Sequence, residues 1–151
     1  MTTNVILRQI ATHFSDRIPF HQFLGFKVTE FDTERVELRF SFDSKLVGNM
    51  AQQILHGGVT SSALDVVGGL MAIAGMVEQM DELDPETLRQ RLSKVGTVNL
   101  RVDYLRPGRG EEFIASARII RSGNKVAVTS MEMHNSEGQH IAFGTGTYLI
   151  G

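Results

Sequence analysis

The chain has 151 residues, 42% hydrophobic and 21% charged, with a formal charge of -2 at pH 7. That balance fits one globular domain able to bury its own core, and it argues against a general polyanion binder, so no nucleic-acid partner is expected. There is no cysteine, which excludes disulfides, thiolate nucleophiles and thiolate-held metal and fits a reducing, cytoplasmic setting. The opening Met1-Thr2-Thr3-Asn4 lacks the basic start and apolar core of a signal peptide.

Residues 4 to 15 place Val5, Ile6, Ile10 and Phe14 at helical spacing, predicting a short amphipathic helix within an N-terminal helical segment, 1–18. Pro19 interrupts it, and Phe20, Phe23, Leu24 and Phe26 form an aromatic cluster around Gly25 that reads first as core. Val28 to Phe42 predicts a strand pair, with Val36, Leu38, Phe40 and Phe42 on a buried face and Glu37, Arg39 and Ser41 on a wet one. Asp43 to Leu55 has no period and reads as a loop delivering the chain to His56.

The next stretch is the unusual one. From Gly57 to Val77 the chain carries a single charge, Asp65, in twenty-one residues. Its length would suffice to span a bilayer, but an aspartate at mid-span costs roughly 2.5–3.5 kcal/mol on insertion scales. The prediction is a helix wrapped by protein, ending near Met80, with no membrane partner.

Asp84 and Pro85 then supply an N-cap and first-turn proline for a charged, solvent-facing helix to about Leu92. Four strands follow. In the first, Val98, Leu100, Val102 and Tyr104 point one way and Thr97, Asn99, Arg101 and Asp103 the other. Phe113 to Arg121 and Lys125 to His134 flank the turn Ser122-Gly123-Asn124; Glu137-Gly138 turns again, and Ile141 to Ile150 closes the sheet, with Gly144 and Gly146 allowing close approach. Strand pair, long buried helix and strand meander together predict an α+β domain, one antiparallel sheet curled around one helix.

Two features in the central stretch carry chemistry. Gly57 and Gly58 open a helix, whose first N–H groups lack intrahelical partners and where the dipole is positive, so an oxyanion hole and a simple tight bend are both open readings. Asp65 has no cation between His56 and Gln79 to pair with, so its partner comes from elsewhere; it suits a structural hydrogen bond, a general base or a nucleophile. Nine helical residues advance about 13.5 Å and leave half a turn net. His56 and Asp65 therefore cannot serve one reacting carbonyl within one chain, and a shared site requires a two-fold homodimer with antiparallel central helices.

Leu55-His56-Gly57-Gly58 with Asp65 nine residues after the histidine resembles the hotdog-fold acyl-CoA thioesterases of the PaaI-like group. The resemblance continues through Thr97 to Pro107, Ser122 to Val128 and Ala142 to Tyr148, and covers roughly residues 20 to 150 of one domain, 1–151. It implies the hotdog fold, hydrolysis of an acyl-CoA or aryl-CoA thioester without a cofactor, and a homodimer or homotetramer. By the same analogy Asp65 is base or nucleophile, the Gly57 N–H polarises the thioester oxygen, and His56 shapes that hole. Thr97 orients water, and so does Asn49, in competition with Gln52 and Gln53. Gly58 lies against the substrate; Arg106, Arg121 and Lys125 are candidates for the CoA phosphates, or solvated strand-end charges. Phe20, Phe23, Met71 and Met76 are candidates for the acyl pocket. His13, His21, His134 and His140 show no metal-ligand spacing and receive no role, so no metal is expected. Two other functions stay open: a non-catalytic acyl-CoA-binding protein, and a hotdog hydratase or dehydratase, whose different local motif is not found.

Overall fold

A computed structural model describes residues 2–151. Helix α1 (Thr3–Asp16) is capped by the Thr2 hydroxyl and buries Ile6, Leu7 and Ile10. Val5, expected on that face, is 37% exposed, and Leu7 takes its place. Pro19 starts helix α2 (Pro19–Leu24), and Gly25 ends it in the left-handed conformation, φ 75°, that glycine adopts without a Cβ penalty.

Strands β1 (Lys27–Phe31) and β2 (Val36–Ser41) form the expected pair. The loop to His56 contains a 3₁₀ turn (Ser44–Leu46) and a small ribbon of β3 (Val47–Asn49) and β4 (Ile54–Leu55). Then come α3 (Gly57–Glu78), α4 (Pro85–Leu92), and strands β5 (Gly96–Tyr104), β6 (Glu112–Ser122), β7 (Val126–Asn135) and β8 (His140–Leu149). Asp84 caps α4 by accepting the Thr87 N–H at 2.9 Å.

The main sheet is antiparallel in the order β1-β2-β6-β7-β8-β5. The sheet wraps α3, which is apolar over most of its circumference, as a largely enclosed helix must be. Among the described residues α3 is the one helix long and apolar enough to cross a membrane, but 72% of its most apolar window is buried inside this fold. The part of α3 left half-open is a stripe of mostly small residues and one charge: Ser61, Ser62, Asp65, Val66 and Gly69.

Two expectations change. Phe20 and Phe23 are each 56% exposed, so of the aromatic cluster only Leu24 and Phe26 belong to the core. The short α2 can turn one side inward, and His21 and Leu24 take it. The second change concerns β5. Its pairing with β8 slips between Thr97 and Asn99, leaving Val98 as the extra residue of a bulge. The bulge reverses the alternation, so Thr97 points to α3 as Leu100 and Tyr104 do, and Val98 is 59% exposed.

Candidate active site

The start of α3 is built around His56. Its backbone is extended (φ -60°, ψ 134°), so the helix begins at Gly57. The His56 Nδ1 accepts the Gly58 N–H at 2.8 Å, which places the proton of the neutral ring on Nε2. His56 is held in turn by its N–H to the Leu46 carbonyl, 2.8 Å, and by Gly48, where any Cβ would lie 2.4 Å from the His56 Cα. With Gly58 capped, the Gly57 N–H donates to no group among the described residues. A Cβ built on Gly57 would meet Tyr104 at an ordinary 3.5 Å, and the Tyr104 hydroxyl donates to the Gly57 carbonyl at 2.8 Å. A groove of about 360 Å³ runs beside this end, walled by Thr60, Tyr104, Arg106 and Pro107.

Asn49, Gln52 and Gln53 lie in the loop before this helix end. The Asn49 Oδ1 accepts the Gln52 N–H at 3.1 Å, Gln52 is held by Arg109, and Gln53 Nε2 donates to the Met50 carbonyl. All three shape the loop, and none bonds to Gly57 or Asp65. Arg106 lies at the Gly57 end with one guanidinium N–H on the His140 carbonyl, 2.9 Å. Arg121 and Lys125 flank the β6–β7 hairpin, which packs near the other end of α3 through Gln79 and Ser122. Met71 and Met76 are fully buried in the core.

Asp65 sits two turns along α3, about 12 Å from Gly57 by helical rise. The partner that the helix itself lacks comes from the sheet. Thr97 donates its hydroxyl to Asp65 Oδ1 at 3.0 Å, and Tyr148 donates to the same oxygen at 3.1 Å and to the Asp65 carbonyl at 3.2 Å. Oδ2 accepts from no group among the described residues. Tyr148 is 1% exposed and fits only because Gly68 and Gly146 have no side chains: a Cβ would lie 2.4 Å from its hydroxyl at Gly68 and 2.6 Å at Gly146. Burial first, then the Asp65 charge, push the tyrosine hydroxyl well above its ordinary range, so it stays a donor.

A cavity of about 210 Å³ opens at Asp65 between Thr97, Tyr148, Val66, Gly69, Ile73, Val95, Phe14 and His21. His21 is thus brought to the site although nothing in its sequence setting marked it. Its Nδ1–H donates to the Phe14 carbonyl at 3.0 Å, leaving Nε2 as the free lone pair. Burial lowers its pKa from 6.5, against the opposing pull of that hydrogen bond and of Asp65. Tyr148 was equally invisible as a site residue; glycines spaced to clear a ring, at 68 and 146, are the signal that could have found it.

Away from this site, cross-strand pairing gathers Glu132, His134 and His140, with donor atoms all within 4.8 Å. Sequence spacing could not reveal this set, because His134 and His140 meet across the β7–β8 ladder with rings stacked at 4.4 Å.

The "Thioesterase superfamily" family model matches residues 52–142, the span from the loop before His56 into β8. The medium/long-chain acyl-CoA thioesterase YigI of Escherichia coli is 44% identical over 151 residues, all of this chain and 97% of that protein. This chain belongs to the thioesterase superfamily. The mouse acyl-coenzyme A thioesterase 13 is a more distant member, 26% identical over 138 residues, 83% of this chain and 89% of the other. A thioesterase-superfamily crystal structure from Shewanella oneidensis superposes with a TM-score of 0.94 at 50% identity, covering 99% of this chain and 97% of that one. A second, from Syntrophus aciditrophicus, gives 0.87 at 36% identity, covering 98% and 97%. The long helix against an antiparallel sheet is the hotdog fold of this superfamily, and the protein is a thioester hydrolase.

Proposed function

We propose that this thioesterase hydrolyses medium- to long-chain acyl-CoA, with each active site assembled from two copies of the chain. The acyl length follows the name of the E. coli relative. The observation that carries the site is Asp65: a lone carboxylate in an apolar helix, one oxygen pinned by two hydroxyls, the other free beside a cavity. Oδ2 takes a proton from water, and the resulting hydroxide adds to the thioester carbon. The Gly57 N–H of the second copy, with the dipole behind it, stabilises the oxyanion. Collapse expels CoA thiolate, which takes up the proton held on Asp65 Oδ2, and the free acid leaves. Thr97 and Tyr148 fix the carboxylate; His56 caps Gly58 and so keeps the Gly57 N–H available.

The dimer is supported by distance and by surface. Gly57 and Asp65 are too far apart along one helix to hold one carbonyl. Strand β5 is an edge strand with no buried residue, and Val98 (59%), Tyr104 (53%) and, on β8, Leu149 (40%) are exposed apolar groups. Such an edge is a template for a second strand. Pairing two β5 edges about a two-fold axis sets two α3 helices antiparallel across their small-residue stripes and carries each Gly57 toward the other copy's Asp65. Of the three candidates for the CoA phosphates, Arg106 lies at the Gly57 end, whereas Arg121 and Lys125 stand by the β6–β7 hairpin near the other end of α3.

The test is complementation. Asp65→Asn and Gly57→Val are each expected to lose thiol release on an acyl-CoA panel. After subunit exchange a 1:1 mixture should regain up to about a quarter of wild-type activity, since half the dimers are mixed and each has one intact site. No recovery despite proven exchange overturns the shared site; binding without turnover across the panel replaces the enzyme with an acyl-CoA-binding protein.

A further inference from the structure

The cavity at Asp65 is bounded at its far side by Phe14 of α1 and by Val95. Phe14 is also a wall of a second space, a groove of about 490 Å³ between α1 and α4 lined by Ile6, Ile10, Leu88 and Leu92. The other shared boundary is the turn after α4: the Val95 N–H donates to the Leu92 carbonyl at 3.2 Å, with Val95 on the cavity and Leu92 on the groove. One aromatic ring and one turn separate the two.

The groove is aliphatic along its length, with Gln9, His13 and Arg89 among its remaining lining. No residue of α4 is buried, and Leu88 and Leu92 stay half-open opposite α1. Water is a poor filler of so apolar a space. The Asp65 cavity by itself is smaller than the roughly 300–1,000 Å³ of ordinary ligand pockets, and the groove brings the pair into that range.

We infer that the α1–α4 groove is the distal subsite for the acyl chain, entered past Phe14, and that this protein measures chain length there. The inference rests on the hydrolase reading above, which supplies an acyl group at Asp65. A linear saturated chain is the occupant because the groove is aliphatic and shares the Phe14 ring and the Leu92–Val95 turn with a cavity whose one carboxylate among the described residues is Asp65. Each methylene buried there is worth about fourfold in affinity.

The experiment measures binding of two CoA thioethers that cannot be hydrolysed, S-hexyl-CoA and S-dodecyl-CoA, beside thiol release from the matching acyl-CoAs. Wild type should bind the dodecyl compound at least about tenfold tighter, the effect of two further buried methylenes. Leu88→Trp fills the groove and should bring that ratio to within about threefold of unity, and Phe14→Ala should raise it. Gln9→Trp, at an exposed rim position, repeats the block should Leu88→Trp fail to fold. Folded blocking variants that keep the wild-type ratio overturn the groove even where thiol release is normal. Chain-length preference in binding without thiol release from any acyl-CoA leaves the groove standing and sinks the hydrolase.

Discussion

Tyr148→Phe removes one oxygen atom and nothing else from the slot between Gly68 and Gly146. The ring stays, no cavity forms, and the Asp65 carboxylate loses one of the two donors on Oδ1. A net hydrogen bond to a charged group is worth about 1.5–3 kcal/mol. This hydroxyl divides between two acceptors at 3.1 and 3.2 Å, longer than the usual O–H···O distance, which puts it near 1.5 kcal/mol. The melting temperature should therefore fall by about 3–6 °C. On the proposed mechanism the same loss corresponds to about tenfold in kcat, with KM little changed, because the hydroxyl acts through Asp65.

The assay is steady-state thiol release from the best acyl-CoA of the panel, with melting followed in parallel. Thr97→Val removes the other donor, at 3.0 Å, and should act similarly alone. The double variant decides the matter. Either hydroxyl can partly hold the carboxylate, so losing both should cost more than the product of the single effects, as for groups that share one partner. Single variants within twofold of wild type, together with a double variant that is only multiplicative, would refute the idea that these hydroxyls position Asp65.

Asp65→Asn should lower kcat by about 10²–10⁴, the usual contribution of a general base, with fold retained by melting. Gly57→Ala should leave the melting temperature within a degree or two, because its Cβ meets Tyr104 at 3.5 Å, yet crowd the oxyanion and cut kcat/KM at least tenfold. Gly68→Ala is the opposite case: a Cβ 2.4 Å from the Tyr148 hydroxyl overpacks the slot, costing about 1–3 kcal/mol and several degrees of melting temperature along with activity. For pH, burial lowers the His21 pKa in the folded protein below 6.5, so the unfolded chain binds the extra proton first. Its contribution is then fully present above about pH 6.5 and lost as pH falls from there through the folded pKa. Wild type should lose more stability than His21→Gln over that window, and equal slopes would reject the assignment.

The elements were readable because local signals agreed. Asp84 and Pro85 mark the start of α4, the long run with Asp65 as its one charge marks α3, and Ser122-Gly123-Asn124 marks the β6–β7 hairpin. Single-residue alternation failed at β5, since a bulge is a two-against-one pairing that leaves no trace in a pattern of apolar and polar letters. For that reason alone alternation puts Thr97 on the wrong face, although the family resemblance marks the residue. Phe20 and Phe23 misled because aromatic type says nothing about which side of a short rim helix turns inward. His21 reaches the Asp65 cavity from forty-four positions away in the chain, and the stacked His134 and His140 depend on strand register; both are facts of tertiary placement.

The choice of partners for Asp65 bears on what the residue can do. A lysine or arginine beside it would bind the carboxylate in an ion pair and compete with water for both oxygens. Two neutral hydroxyls do something different. They hold Oδ1 in place and leave Oδ2 without a partner among the described residues, next to a cavity. Placing a tyrosine there requires a glycine in the helix above it and another in its own strand, and a bulge is needed to turn Thr97 the same way. Gly68, Gly146 and the Val98 bulge each weaken a regular element. Their common effect is one oriented carboxylate, which is the arrangement a hydrolytic base needs and a merely structural aspartate does not.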